Sequence, residues 1–554
     1  MPLLPIAEIA AALGLGASDV EPYGWHTGKL ALNLAQRLEQ RPPGKYVGVT
    51  AINPTPFGEG KTVVAIGLAM ALSRQGSKAL CTLREPSLAP VFGIKGGGAG
   101  GGRCSLQPAD DINLHFTGDL HAVSSANNLL AAMIDNHVKR RLAPDVEPAS
   151  VDWRRVVDVS DKGLSHIVTG LGAMPQAPLR ETGFDLTAAS EVMAILALAS
   201  DLSDLRARLG RIVVGHGADG TLATADDIGA AGAMAALLRD AIRPNLVQTC
   251  EQTPAIVHAG PFANIAHGNS SVIADRIALR LADYVVTESG FGADCGAEKF
   301  FHIKCRSSGL MPDAMVLVCT VRALKHHSGR FPVHPGQQLP EDLLREDVEA
   351  VRAGAVNLQA HIDILQRFGM RPIVAINRFP TDTDAELQLA ASLALQMGAQ
   401  TAVMTDCFAR GSEGASRLAE AVCEACREPA TPRMLYALES GLTDKFTTIA
   451  TEVYGADGVE IAPAAGQRLG ELESQGFGNL PVCIAKTQYS LSHDPARVGR
   501  PTGYLLPIRD VRLAAGAGYI YGLAGDIVTM PGLPSHPAAR HIDVASDGTI
   551  TGLT

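Results

Sequence analysis

The stretch Thr55-Pro56-Phe57-Gly58-Glu59-Gly60-Lys61-Thr62 has residue types and spacing suited to holding an anion. Gly58 and Gly60 give the backbone the freedom to wrap a ligand closely. Lys61 and Thr62 then open an apolar helix through Val63, Ile66, Leu68, Met70 and Leu72. A helix N-terminus behind a glycine turn presents unbonded N–H groups and the positive end of its dipole. The Lys61 ammonium is a point charge for β- and γ-phosphate oxygens, and the Thr62 hydroxyl is a hard ligand for Mg2+. The pattern G-x-x-x-x-G-K-[ST] is met except at its first position, where Thr55 stands in place of glycine. A glycine-rich turn ending in a surface lysine is the plainer alternative. The placement between the strand-like YVGVTAI and an apolar helix favours a nucleoside triphosphate site.

Other residues with chemical potential lie where loops should leave strands. Arg84 and Glu85 follow the strand-like KALCTL, and an arginine there offers a fork of donors to a carboxylate or a phosphoryl group. The run Gly96–Gly102 is either a flexible linker or a loop that closes on a ligand; its apolar flanks VFGIK and DDINLHF favour the loop. Asp119 is open between an N-cap for the next helix and a carboxylate that orients a reacting group. His267, in PFANIAHGNSS, is open between a packed and a catalytic side chain. TESGFGADCGAEKFF carries Phe291, Asp294 and Glu298. No H-E-x-x-H, paired C-x-x-C or G-x-S-x-G pattern occurs in the chain, so neither a metal centre of that spacing nor a serine elbow is expected.

The elements that must position these residues alternate in type. Short apolar runs at LVQT near Leu246, AIVHAG from Ala255, DYVVTES from Asp283, MVLVCTV from Met315, RPIVAIN from Arg371, TAVMTD from Thr401 and PVCIAK from Pro481 read as buried parallel strands. Helical patterns cover His121–Arg141, Thr187–Leu209, Asp226–Asp240, Glu346–Phe368, Thr383–Met397 and Ser412–Arg427. The fold class expected is α/β, a P-loop NTPase-like, largely parallel sheet core with additional smaller α/β domains. In such sheets ligands bind beyond the carboxyl ends of strands, where the glycine loop already lies. His326–Leu343, rich in Pro, Gly and His, and Arg427–Met434 read as linkers or exposed loops. The tail from Thr502 reads as short strands.

Composition narrows the class. The 554 residues are 46% hydrophobic and 19% charged, the profile of a globular chain of roughly three to four domains. A net charge of −10 provides no global attraction for nucleic acid or an anionic membrane surface, so an anionic substrate needs a local basic pocket. The ten cysteines are scattered, with Cys423 and Cys426 on one helical face, which suggests burial and a reducing compartment. MPLLPIAEIAAALGLG has no basic residue ahead of its apolar run and carries Pro5 and Glu8, unlike a signal peptide. No apolar run reaches about 18 residues. The cytoplasm is the expected location.

With these segments in view, the chain resembles formate–tetrahydrofolate ligase, also called 10-formyltetrahydrofolate synthetase. The resemblance rests on NPTPFGEGKT, LREPSLAPVFGIKGG, DDINLHFTGD, ETGFDLTAASEVMA, GPFANIAHG, GFGADCGAEKF, AINRFPTDT, YGADGV, GNLPVCIAKTQYS and MPGLP, which span nearly the whole chain. It implies a monofunctional enzyme that joins formate to tetrahydrofolate with ATP and Mg2+, through formyl phosphate. It further implies a monovalent cation activator (K+ or NH4+) and a homotetramer. Carried onto this sequence, Thr55 through Thr62 and Gln488 bind ATP, Lys61, Arg84 and Asp119 are catalytic, Thr62 ligates Mg2+, and Glu85 holds the monovalent cation. The pterin stacks on aromatic rings. Phe379 matches one position, Phe408 stands where related enzymes carry tryptophan, and Phe291 is the third folate-side aromatic. Val63 replaces the second threonine of the usual GKTT. The domains implied are 1–335 for nucleotide binding and formyl transfer, 336–430 contributing to the folate site, and 431–554 as a C-terminal α/β unit.

Two other classes fit the glycine loop. A switch-type P-loop ATPase uses the same strand, loop and helix to change partner and transforms no small molecule. A carboxylate-activating ligase with another acid or amine acceptor would share the phosphate chemistry. A fused multifunctional folate protein would need an additional dehydrogenase domain, for which this length leaves no room.

Overall fold

The computed structural model describes residues 2–93, 98–172, 178–331, 333, 339–428, 430–525 and 527–553. Its centre is a twelve-stranded sheet whose parallel part consists, in chain order, of β1 (Lys45–Ala51), β2 (Ala79–Leu83), β3 (Pro254–Val257), β4 (Tyr284–Glu288), β5 (Ala314–Cys319), β6 (Ile373–Asn377) and β7 (Thr401–Thr405). Their order in space is β3-β2-β4-β1-β5-β6-β7, every neighbouring pair parallel. The expected α/β class with a mostly parallel sheet is what the chain adopts.

Alternation along these strands divides the core between two faces, since successive side chains on a strand point to opposite sides. Val47, Val49, Ala51, Val316, Val318 and Ala375 pack with helix α1 (Lys61–Arg74) and with Ser416–Ala425. Tyr46, Met315, Leu317, Val374 and Ile376 face the other way, onto α3 (Val272–Leu281) and α5 (Val348–Arg367). From Val64 to Leu72 every residue of α1 is buried. This is the pattern of a helix enclosed on all sides, so α1 is fixed beneath the loop that precedes it. A second core unites α2 (Asp119–Arg140), Glu191–Leu198, Leu202–Gly210 and Ala231–Leu237 with Tyr519 and Ala514 from the C-terminal part.

Several expectations change on contact with the structure. Residues 336–430 contribute β6 and β7 to the central sheet. The LVQT strand, Asn245–Thr249, runs antiparallel to β3 as a hairpin partner. PVCIAK supplies Val482–Ala485, which joins Asp510–Ala514 and Tyr519–Leu523 in a separate three-stranded sheet. Thr187–Leu209 is two helices, because Asp201 accepts from the Asp204 N–H at 2.9 Å and starts a new one. His326 and His327 end helix α4 (Val321–His327) and are buried, so that part of the expected linker is a packed element. The strands expected after Thr502 form at Leu505–Ile508, Asp510–Ala514 and Tyr519–Leu523. Among the described residues, no helix is long and apolar enough to cross a membrane.

Buried charges tie the remote segments together. Lys486, just past Val482–Ala485, reaches the Asp294 carboxylate at 2.6 Å with both side chains fully enclosed. Lys486 also donates to the carbonyls of Thr487 at 3.0 Å and Ser490 at 2.5 Å. Burial alone would raise the Asp294 carboxyl, but Lys486 and His361 overcome it and hold the group well below the usual carboxylate range. Removing one partner leaves an uncompensated charge in the interior. Lys486→Met is therefore expected to lower the urea unfolding free energy by ~3–5 kcal/mol. Adding Asp294→Asn should restore part of it. A loss within ~1 kcal/mol, the scale of an exposed pair, would show that the pair does not hold the C-terminal segment to the sheet.

Candidate active site

The strand order reverses at β1, which lies between β4 and β5. Such a reversal opens a crevice beyond the carboxyl ends of the strands. The loops that leave those ends carry nearly every residue singled out from the sequence. Thr55–Thr62 follow β1, Arg84 and Glu85 follow β2, Phe291 follows β4, Phe379 follows β6 and Phe408 follows β7.

The loop after β1 is fixed from beneath by its own acid. The Glu59 carboxylate is almost fully enclosed and accepts from the Thr55 N–H at 2.7 Å and the Thr55 hydroxyl at 2.6 Å. It also accepts from the Thr320 hydroxyl and from Arg322 Nε at 3.4 Å. The Asn377 amide holds the Glu59 carbonyl at 3.0 Å. Glu59, expected to bind ATP, thus turns its side chain into the protein and braces the loop. Gly60 ends the loop at φ 73°, and a Cβ there would meet Asn377 Nδ2 at 2.5 Å, so both backbone handedness and space require glycine. Lys61 is the first helical residue of α1 and is half-buried. The Thr62 hydroxyl donates to Glu288 Oε2 at 2.8 Å. Pro56 and Gly58 are half-buried and Phe57 is exposed at the loop's outer edge.

Arg84 lies level with these groups. In register, Thr82 of β2 pairs with Thr287 of β4; burial lowers the Arg84 guanidinium below its ordinary range, and the negative charge of Glu288 partly offsets this. Among the described residues Arg84 donates one hydrogen bond, from Nη1 to Pro261 O at 3.2 Å. Glu85 and Asp119 form a separate buried group beside it. Asp119 is the first residue of α2 and not its N-cap, a place taken by Gly118. Its carboxylate accepts from Lys29 Nζ at 2.8 and 3.1 Å and from Asn245 Nδ2 at 2.8 Å. Burial, followed by the negative charge of Asp119, pushes the Glu85 carboxyl well above its ordinary range. Among the described residues, Glu85 Oε2 is enclosed without a hydrogen-bond partner.

The three aromatic residues are not equivalent. Phe379 and Phe408 leave the adjacent strands β6 and β7, and the Arg378 N–H bonded to Thr405 O at 2.9 Å keeps those ends level. The Phe379 N–H is held by Asp382 Oδ2 at 2.7 Å, and one ring face lies under the Arg322 guanidinium, 3.8 Å from the ring centroid. Phe408 is 58% exposed and lies over the glycine run. A Cβ at Gly102 (φ 57°) would meet Phe408 O at 2.4 Å and its ring at 2.8 Å. Phe291 sits at φ 61°, an uncommon backbone for a bulky residue. It is three strands from Phe379, a spacing of ~14 Å at the sheet.

Gln488 comes from the C-terminal part to the same edge. Its carbonyl accepts from Asn53 Nδ2 at 3.2 Å, and its side chain meets Asn264 Nδ2 at 3.5 Å. In the glycine run, Lys95, Gly96 and Gly97 lie outside the described residues. Gly100 and Gly101 pair with Ser105 and Cys104 in a hairpin, so the described part is ordered structure and not a linker. His267 is buried with neither ring nitrogen hydrogen-bonded among the described residues, and burial, followed by Lys304, Arg84 and Arg208, depresses its pKa.

Sequence reading missed Glu288, Arg322, Lys29 and Asn377. Glu288 and Asn377 each end a strand, and that position was their only signal. Arg322 and Lys29 carried none, because their partners are 264 and 90 residues away.

The whole chain, residues 1–554, matches the formate–tetrahydrofolate ligase family. Relatives of that name include one from Roseiflexus castenholzii, 55% identical over 552 residues covering 100% of this chain and 98% of the relative. Another, from Saccharopolyspora erythraea, is 54% identical with the same coverage. A third, from Desulforamulus reducens, is 52% identical over 100% of this chain and 97% of its own length. A continuous match of this kind, on a chain whose strand ends gather a glycine loop, an arginine and aromatic rings, means that the chain belongs to the formate–tetrahydrofolate ligase family.

Proposed function

We propose that this protein joins formate to tetrahydrofolate at the expense of ATP, releasing 10-formyltetrahydrofolate, ADP and phosphate, as a monofunctional enzyme of one-carbon metabolism. The observation that carries this reading is the meeting of Lys61, Thr62, Arg84 and Glu288 at the ends of three neighbouring parallel strands and the first turn of α1. Phosphoryl transfer needs positioning and charge stabilisation more than covalent work by the protein. Loop residues Thr55–Thr62, with Gln488 at the far side, hold the nucleotide. A formate oxygen attacks the γ-phosphorus, the bond to the β-phosphate oxygen breaks, and ADP leaves with the electron pair. Lys61 neutralises charge on the moving group. Arg84 binds the formate carboxylate and then the formyl phosphate. The folate N10 lone pair next attacks the formyl carbon, the carbon–oxygen bond to phosphate breaks, and N10 gives up its proton. Asp119 orients this second step through the buried group it shares with Glu85. Phe379, Phe408 and Phe291 provide flat apolar surface for the pterin.

Two ions fit the residues present. Thr62 and Glu288 offer a hydroxyl and a carboxylate within 2.8 Å of one another, hard oxygen donors of the sort Mg2+ takes alongside phosphate oxygens. When bound, the ion supplies charge neutralisation on the triphosphate. The Lys29 ammonium is bonded to Asp119, and among the described residues Glu85 Oε2 is enclosed and unbonded. A monovalent cation there would balance the second carboxylate. We further infer a homotetramer, the assembly that the family resemblance implies. The ten free cysteines suit the cytoplasm.

The decisive assay is ADP release by the purified protein in K+ buffer, with formate and tetrahydrofolate each omitted in turn. ADP that depends on both, with 10-formyltetrahydrofolate detected as its acid-formed methenyl derivative, is expected. ATP hydrolysis indifferent to both would mark a switch-type ATPase. In the same assay Lys61→Ala should abolish turnover, and Arg84→Ala should lower formate-dependent turnover while leaving the Kd for ATP within about twofold, a change below ~0.5 kcal/mol.

The cation reading has its own test, independent of turnover. K+ should raise the Tm of the unaltered protein above that in tetramethylammonium buffer, because a ligand bound only to the native state stabilises it. Glu85→Gln should lose that increment. An equal increment in both proteins would move the cation elsewhere.

Phe408→Trp enlarges a ring that is already exposed, and should lower the KM for tetrahydrofolate several-fold, the scale of ~1 kcal/mol in stacking. No change in KM would mean that this ring does not face the pterin.

A further inference from the structure

Arg322 stands where two parts of the site meet. It is the second residue of α4, at the carboxyl end of β5, which borders β1 on one side and β6 on the other. Its guanidinium donates to the Gly58 carbonyl and, from Nε at 3.4 Å, to the Glu59 carboxylate. The same planar group covers one face of Phe379 at 3.8 Å from the centroid, the stacked arrangement in which an arginine and a ring attract each other. Its side chain is only 14% exposed. The neighbouring Thr320 bonds to Glu59 as well, and Asn377, two residues before Phe379, holds the Glu59 carbonyl at 3.0 Å. The phosphate loop and the Phe379 ring are therefore braced by the same few side chains.

With one face taken by Arg322, Phe379 offers a planar ligand only its other face. A ring stacked there presses Phe379 against the guanidinium. The guanidinium in turn fixes the Gly58 carbonyl, and with it the peptide planes between Gly58 (φ 74°) and Gly60 (φ 73°) that lead into α1. We propose that Arg322 is a positioning residue that couples the two halves of the reaction, so that tetrahydrofolate stacked on Phe379 tightens nucleotide binding in the Thr55–Thr62 loop. Because binding free energies are reciprocal, nucleotide tightens folate binding by the same factor. Lysine cannot replace the arginine here, since an ammonium can neither stack flat nor hold two acceptors in one plane. The inference rests on the reading of Phe379 as a folate platform given above.

The test is calorimetric titration of the full-length protein with ADP, with and without saturating tetrahydrofolate. The unaltered protein should bind ADP ~5-fold or more tightly when folate is present; a ratio of one overturns the proposal. Arg322→Lys should bring the ratio close to one. If it weakens both ligands while the ratio stays as in the unaltered protein, Arg322 acts only as scaffold and the proposal fails. Should Arg322→Lys not fold, Phe379→Leu keeps the bonds from Arg322 to Gly58 and Glu59 and should erase the ratio equally; a preserved ratio again overturns the proposal. Folate binding unchanged in Phe379→Leu would place the pterin elsewhere and remove both the platform and the coupling. Folate weakened in Phe379→Leu together with a preserved ratio in Arg322→Lys removes the coupling alone.

Discussion

A carboxylate enclosed beneath a glycine loop at the start of a helix is an awkward thing for a protein to keep. Glu59 is 1% exposed, and an unpaired charge at such a place costs several kcal/mol. It is tolerable because four donors converge on it: the Thr55 N–H and hydroxyl, the Thr320 hydroxyl and Arg322. Those donors come from the loop itself and from the end of β5. Satisfying the charge therefore forces the loop, β5 and α4 into one arrangement. The left-handed backbone of Gly58 and Gly60 and the close approach of Asn377 follow from it. The lysine and threonine that follow therefore open α1 from a rigid support.

The same logic recurs under the rest of the sheet edge. Asp275 of α3 accepts from Tyr46 of β1, from Thr82 of β2 at 2.6 Å and from Lys304, fixing the two strands that deliver Thr55–Thr62 and Arg84. Asp294 joins Lys486 and Asn53, so the C-terminal part is bound to the residues just past β1. Buried ion pairs of this kind add little net stability over apolar packing. What they enforce is geometry, because each has only one arrangement in which its charges are satisfied. They cluster near strand ends, where backbone must stop pairing and side chains have to take over.

What the sequence made legible follows from range. The phosphate loop, the strand before it and the helix after it are adjacent in the chain, so their pattern is complete within Tyr46–Arg84. The parallel strands were legible because each is a short apolar run between helices. Which sheet a run joins was not: Val482–Ala485 and Ile373–Asn377 look alike as apolar runs, yet only the second enters the central sheet. Nor does local pattern show direction, as the antiparallel Asn245–Thr249 demonstrates. At the site, Gly58, Gly60, Lys61 and Thr62 could be read from their neighbours. Glu288 could not, since its hydroxyl partner is 226 residues away. Glu59 shows another limit of local pattern. Membership of a binding motif said nothing about its side chain, which points into the protein and braces the loop.

The overall charge of −10 makes the composition of this edge more telling. An enzyme that must gather a triphosphate and a carboxylate needs positive potential locally, and on the function proposed above Lys61 and Arg84 would supply it where α1 adds its own dipole. Acid is present in the same region but is taken up: Glu59 by its four donors, Asp294 by Lys486, Asp119 by Lys29. Glu85 is the exception. Its neighbour Asp119 already holds the nearby ammonium, and among the described residues its second oxygen is enclosed and unbonded. Among the described residues, the fold pairs Glu59, Asp294 and Asp119 along this edge yet leaves one Glu85 oxygen unsatisfied near Arg84, a vacancy in its charge balance. A bound proton or a bound monovalent cation would each fill it. Only the cation leaves the carboxylate ionised, with its oxygens still available to accept hydrogen bonds.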